Sequence, residues 1–414
     1  MPTRKLALDG GTPVRSAPFP RRDPFGLEDA AQLVEALQQG TLFFPAGKKV
    51  YEFEREFGEL YGLPHVVTST SGTSAIHVAL GALNLAPGDE VITTPLSDMG
   101  TVAPIVQCNC IPVFADVELG TLNLDPDDVE RKISDRTRAI IAVHLWGQPC
   151  NMDRIMAIAQ RHDLRVIEDC AQAHLTRYKG KLVGTIGHIG AMSLQDSKHL
   201  QCGDGGITIT ADEDLGKRAR LFCDKGCDWS EDRKYRLTYS FLAPCYRMTE
   251  LQGAMLCAQL KRLPWIVEQR QRLGDMLSEL ISGLPNVYPP ERTEGVEHSY
   301  WAYPLRVDEE AMGVEEGTWG RAVSAEGIGT GKWLATPLYS YDALANKAAY
   351  GTSQLPWSLT ERGKAMAYGP GLCPTAELAL KQLWTMPLNE RMTEADMRDM
   401  AEAVWKVAEG LSKG

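Results

Sequence analysis

No stretch of this 414-residue chain is apolar and long enough to span a bilayer. No dense basic run offers a footprint for nucleic acid, and 54 acids against 43 bases leave a net charge of −11. The opening residues, Met1-Pro2-Thr3-Arg4-Lys5, lead into no apolar signal segment, so the cytoplasm is the expected compartment. Among ten cysteines there are no paired Cys-x-x-Cys sets: Cys108 and Cys110 flank one residue, and Cys223 and Cys227 are four apart. Zinc, an iron–sulfur centre and disulfides are therefore not expected, and free thiols in core or strand positions are. The glycine-rich run ending in Gly-Lys-Ser/Thr that marks nucleoside triphosphate loops is missing, as are internal repeats and low-complexity tracts. What is present is an ordinary globular composition, 44% hydrophobic and 23% charged, in a chain longer than one core usually supports. Two domains are expected.

The order of elements gives the fold class. Helical patterns over 27–39 and 48–61 precede a region, 66 to about 210, in which apolar runs alternate with helical stretches. Arg138–His144 and Leu164–Ile167 read as buried parallel strands. Such alternation predicts an α/β protein with a parallel sheet covered by helices. A helix is expected from Thr249 toward Leu260, with Pro264 and a second helix over Ile266–Ile281 marking passage to a smaller domain. There, Tyr303–Val307 reads as a strand and Glu394–Leu411 as a closing amphipathic helix. The stretch Gly327–Thr375, with Lys332-Trp333 and several glycines and prolines, is either a binding loop or a surface insertion.

Three segments carry chemistry. In Ser71-Gly72-Thr73-Ser74-Ala75 a strand turns into a helix whose N-terminus could take a phosphate or simply be capped. In Ile167-Glu168-Asp169-Cys170-Ala171-Gln172 an apolar strand ends in two acids, one of which could meet a protonated pyridine or cap the next turn. In Ser193-Leu194-Gln195-Asp196-Ser197-Lys198 a lysine follows a short strand and precedes the turn Gly203-Asp204-Gly205-Gly206. A partly buried lysine becomes nucleophilic and forms Schiff bases. Phosphate cup, ring-nitrogen acid and lysine, in that order, fit one cofactor: pyridoxal 5'-phosphate.

From about Phe43 to about Glu402 the chain resembles the DegT/DnrJ/EryC1/StrS family of pyridoxal phosphate-dependent, sugar-type aminotransferases. The motifs that carry the resemblance are those three segments with Gly88-Asp89-Glu90-Val91-Ile92, Tyr246-Arg247-Met248-Thr249-Glu250-Leu251-Gln252 and Cys373-Pro374-Thr375-Ala376-Glu377. The resemblance implies a fold type I transferase: a large domain with a mostly parallel mixed sheet between helices, and a smaller C-terminal α/β domain. Its divisions would be an arm over 1–22, a cofactor domain over 23–264 and a small domain over 265–414. It implies that Lys198 holds the cofactor and shuttles the proton, that Asp169 keeps the pyridine nitrogen protonated, and that Gln172 contacts the ring hydroxyl side. Gly72, Thr73, Ser74 and Ser193 would bind the phosphate. Asp98, His199 and Lys332 are candidates for substrate contact, and no metal is expected.

Two positions depart from the family pattern. Asp98, in Thr94-Pro95-Leu96-Ser97-Asp98-Met99-Gly100-Thr101, falls where an aromatic usually stacks on the cofactor. Either its carboxylate faces a substrate amine or hydroxyl, or it turns away and Met99 or Leu96 covers the ring. Cys245, in Ala243-Pro244-Cys245-Tyr246-Arg247, replaces an asparagine that reaches the partner subunit's cofactor phosphate, and a thiol is a weak donor. The implied activity moves an amino group from glutamate or glutamine to the carbonyl of a sugar nucleotide, cyclitol or related cyclic ketone, in amino sugar or secondary-metabolite (antibiotic) biosynthesis. A homodimer with shared active sites is implied as well. The rivals are a dehydratase or lyase on the same fold, whose relatives replace the lysine by histidine, and a non-catalytic cofactor-binding regulator.

Overall fold

The computed structural model describes residues 5–229 and 238–411; the first four residues of the expected arm lie outside the described residues. Among these, seven strands form one sheet: β1 (His65–Ser69), β2 (Glu90–Thr93), β3 (Ile111–Phe114), β4 (Thr137–Val143), β5 (Arg165–Asp169), β6 (Ile189–Ser193) and β7 (Gly206–Thr210), in the order β1-β7-β6-β5-β4-β2-β3. All neighbours are parallel except β7, which runs antiparallel to both β1 and β6. The expected parallel sheet is there, with one reversed strand. Its strands read as unbroken apolar runs because both faces are covered: in Ala139-Ile140-Ile141-Ala142-Val143 every residue is buried.

One face packs against α3 (Gly72–Leu83) and α4 (Met99–Gln107), the other against α2 (Lys49–Tyr61) and the first half of a long helix, α5 (Glu250–Leu280). The expected break at Pro264 does not occur, and one 31-residue helix passes straight through it. Proline removes a single backbone donor from the ladder. Here Leu260, Leu263, Ile266 and Val267 on either side are buried, and packing holds the helix together. The same helix then enters another core. Leu273, Leu277 and Ile281 meet Tyr303, Leu305, Trp319, Val404 and, from the N-terminal arm, Leu6. A boundary at residue 264 thus falls inside a helix that belongs to both lobes. The strand Tyr303–Val307 and the closing helix Glu394–Leu411 lie where the pattern predicted them.

The stretch 327–375 is neither simply a binding loop nor a surface insertion. Leu334, Leu338, Tyr339, Trp357 and Tyr368 bury themselves in the sheet's own core. The Tyr368 hydroxyl accepts from the Trp357 indole and donates to the Pro112 carbonyl at 2.6 Å, tying this segment to β3. All ten cysteines are free thiols. Among the described residues no helix is long and apolar enough to cross a membrane.

Candidate active site

The carboxyl ends of β1, β4, β5 and β6 open into a cavity of about 360 Å³, the place where open α/β sheets gather ligands. On one side α3 begins. The Ser71 hydroxyl accepts from the Ser74 N–H at 3.0 Å, and the Ser74 hydroxyl accepts from the Ser71 N–H at 2.8 Å. This reciprocal cap leaves Gly72 and Thr73 lining the cavity. Glycine at 72 is required by contact: a Cβ there would stand 2.8 Å from that of Ser193, the last residue of β6, which lines the cavity too. A helix start beside a serine hydroxyl makes an anion cup.

The floor is Asp169, at the end of β5 and almost wholly buried. Its carboxylate accepts from the Thr101 hydroxyl at 2.8 Å and from the Ala171 N–H at 3.1 Å. Burial still raises its pKa, against the opposing pull of those two donors and of the Lys198 charge. A carboxylate so placed gains most from a cation brought to it. Gln172 accepts the Trp146 N–H through its amide oxygen at 2.7 Å, which leaves the amide NH₂ for a ligand. His144 lines the cavity between them. Its Nδ1 accepts the Cys150 N–H, so its Nε2–H donates to Glu168 at 3.0 Å. Glu168 in turn accepts from the Ile186 and Gly187 N–H groups. With Cys170 these side chains come within metal-ligand range of one another, but the donors just named already satisfy the carboxylate.

Lys198 reaches into the cavity from the turn after β6. Its Nζ lies 4.0 Å from the centroid of the Trp301 indole. Burial pushes its pKa down to about 8, with Asp169 and Asp98 pulling the other way. The turn is clamped from both sides: the Trp301 indole N–H donates to the Ser197 carbonyl, and Arg22 donates to that of Lys198 at 3.0 Å. Because only the neutral amine attacks a carbonyl, uptake of an aldehyde such as pyridoxal phosphate should fall about tenfold per pH unit below pH 8 and level off above it. Stopped-flow absorbance across pH 6–11 checks this; a rate still climbing toward the ordinary lysine value would contradict it.

Seven of the expected residues meet in this cavity: Gly72, Thr73, Asp98, Asp169, Gln172, Ser193 and Lys198. Three do not. The Ser74 hydroxyl is consumed by the helix cap and by Ser69. His199, next to the lysine, points the opposite way into the core, where its Nε2 donates to the Ser299 carbonyl at 2.9 Å and burial drives its pKa far down. Lys332 binds Glu316 and the carbonyls of Leu380 and Lys381, and its neighbour Trp333 lines the cavity instead.

Asp98 faces the cavity. Leu96 is fully buried and Met99 packs into the core, so neither covers the site. Cys245 is exposed, its Sγ 3.9 Å from an Asp224 oxygen, and takes no part in this cavity. Thr101, His144, Trp301, Trp333 and Arg22 are additions. A larger groove, about 850 Å³, runs past Glu118, Asn151 and Glu291, but its lysine, Lys179, is exposed and ion-paired to Asp153 rather than held beside a buried acid.

A sequence profile of the DegT/DnrJ/EryC1/StrS aminotransferase family matches residues 25–367. The spore coat polysaccharide biosynthesis protein SpsC of Bacillus subtilis (strain 168) is 33% identical over 93% of this chain and 95% of its own. The putative L-glutamine:3-amino-2,3-dideoxy-scyllo-inosose aminotransferase of Micromonospora echinospora is 33% identical over 99% of this chain and 98% of its own. Among solved structures, the aminotransferase from Psychrobacter cryohalolentis superposes with a TM-score of 0.85 at 27% identity, over 95% of this chain and 100% of that one. DesV of S. venezuelae gives a TM-score of 0.80 at 28% identity, over 92% and 95%. The lysine, the buried acid and the anion cup at the sheet's rim are thus found on a chain that belongs to the DegT/DnrJ/EryC1/StrS family of pyridoxal phosphate-dependent aminotransferases.

Proposed function

We propose that the chain moves an amino group from glutamine or glutamate to the carbonyl of a sugar nucleotide, cyclitol or related cyclic ketone. The observation that carries this reading is Lys198, an amine with a pKa near 8 in the same cavity as a buried carboxylate and a helix N-terminus. These residues fit pyridoxal phosphate: Gly72, Thr73 and Ser193 would take the phosphate, Asp169 the ring nitrogen, Gln172 the ring hydroxyl side and Lys198 the aldehyde carbon. When bound, that group supplies an electron sink for the carbon that gives up its amine. The protein's own part is to place and move protons. Lys198 Nζ takes the proton from the amine-bearing carbon of the donor and, in the second half, returns one to the carbon that was the ketone. Thr101 and the Ala171 N–H hold the Asp169 carboxylate in one orientation. The clamped turn keeps Lys198 from swinging out.

A dehydratase or lyase with histidine in the lysine's place is disfavoured, because Lys198 is present and faces the cavity while His199 beside it is turned into the core. Glutamine suits the site better than glutamate, since Asp98 and Asp169 already bring negative charge to it. Protein supplied with pyridoxal phosphate is expected to turn yellow, to bleach with glutamine about fivefold faster than with glutamate, and then to pass the amine to a cyclic ketone. A yellow protein that no amino acid bleaches contradicts the reading. A homodimer is part of the proposal, supported by the exposed Phe43, Tyr51 and Trp229 beside one apolar groove. Light scattering should give twice the 45.6 kDa chain mass, and the single mass would refute it.

A further inference from the structure

Both clamps on the Lys198 turn lead back to one buried carboxylate, Glu390. Arg22, which donates to the Lys198 carbonyl through Nη1, donates through Nε to Glu390 Oε1 at 3.0 Å. Arg270 donates through Nε and Nη2 to the other oxygen, Oε2, at 3.0 and 2.9 Å. Its remaining nitrogen, Nη1, donates to the Trp301 carbonyl at 2.9 Å. Trp301 is the residue whose indole N–H holds the Ser197 carbonyl and whose ring faces Lys198 Nζ. Burial works to raise the Glu390 pKa, but the two guanidiniums outweigh it and hold it below the usual glutamate value. Glu390 is therefore charged at neutral pH and accepts from both arms of the clamp.

The carboxylate also sits where the N-terminal arm docks. On either side of it, Asn389 donates to the Pro20 carbonyl at 2.9 Å and Arg391 pairs with Asp23 at 3.1 Å. The arm segment that carries Arg22 is thereby laid along 389–391. A lysine amine rides on a flexible four-carbon stem with no rigidity of its own. Its aim is set by where the backbone at Ser197 and Lys198 stands and by the indole beside it. A shift of about 1 Å there costs up to about 10²-fold in rate. Resting on the function proposed above, we propose that Glu390 is a positioning residue for amine transfer. Through Arg22 and Arg270 it holds the Lys198 backbone and the Trp301 indole at one spacing, and so aims the amine at the carbon whose proton it moves. Glu390 itself does not line the cavity. Removing its charge leaves two mutually repelling guanidiniums without their shared carboxylate, and the carbonyls of Lys198 and Trp301 lose fixed partners.

Glu390→Gln keeps the shape and one acceptor oxygen but removes the charge. In protein without cofactor, amide hydrogen exchange over 195–200 should quicken about tenfold, while β5, paired on both sides, keeps its wild-type exchange. In protein carrying pyridoxal phosphate, the maximal rate of bleaching by glutamine should fall about tenfold, with the half-saturating glutamine concentration within about twofold of the wild type. Arg22→Gln removes one clamp, spares the buried Arg270 pair and should show the same pattern more weakly. The double variant should be no slower than Glu390→Gln, because both changes free the same carbonyl. A carboxylate that only stabilised the fold would shift the melting temperature and the fraction that bleaches, and leave the rate alone. Unchanged exchange over 195–200, exchange raised equally in β5, a bleaching rate within about twofold of the wild type, or losses that multiply in the double variant would each overturn the inference. Wild-type protein that takes up pyridoxal phosphate yet is bleached by no amino acid refutes the proposed function instead. The exchange comparison, made without cofactor, then decides by itself whether Glu390 holds the turn.

Discussion

Lys198→Ala should leave the protein colourless with pyridoxal phosphate and lower amine transfer by about 10⁴-fold or more, because one amine is both the covalent anchor and the proton carrier. The variant should nevertheless fold at least as well as the wild type. Burial depresses the lysine pKa to about 8 from its usual 10.5, so at neutral pH the native state holds a charge that the unfolded state holds more easily. That cost is fully present below pH 8, shrinks between 8 and 10.5, and is gone above. The melting temperature of Lys198→Ala should therefore equal or exceed that of the wild type at pH 7, with the gap closing as pH rises through that window. A yellow covalent adduct in Lys198→Ala, or activity within tenfold of the wild type, would remove the lysine from its role.

Asp169→Asn should come next in size. Asparagine keeps the volume and an oxygen to accept the Thr101 hydroxyl, but it cannot hold a pyridinium proton by charge. The loss of one preorganised charge of this kind lowers turnover by about 10²–10³-fold. Unlike Lys198→Ala, this variant should still turn yellow, since the amine that binds the aldehyde is untouched. Single-turnover bleaching by glutamine separates the two effects. Asp169→Asn reacting at more than a tenth of the wild-type rate would mean that the buried carboxylate only fixes Thr101 and α4.

How much of this was legible in the sequence depends on the range of the interaction. The three segments are local: each is a strand end plus the residues that follow it, and strand ends in a parallel sheet share one rim. Gly72, Asp169 and Lys198 therefore came together as the pattern implied. In the first segment the capping reading holds for Ser71 and Ser74, and Gly72 and Thr73 are left lining the cavity. His199 and Lys332 were misplaced by one position. Adjacent side chains diverge, so Lys198 enters the site while His199 enters the core, and Trp333 enters while Lys332 stays on the outer side. Trp301 and Arg22 lie some hundred residues or more from the lysine they clamp, and no periodicity announces such contacts. Pro264 misled because helix-breaking is a local tendency, and burial on both sides overrules it.

Borohydride reduction of the yellow protein, followed by peptide mapping, tests the central claim most directly. The account predicts a single phosphopyridoxyl group on the peptide that carries Lys198. A label on another lysine, or none, would contradict it.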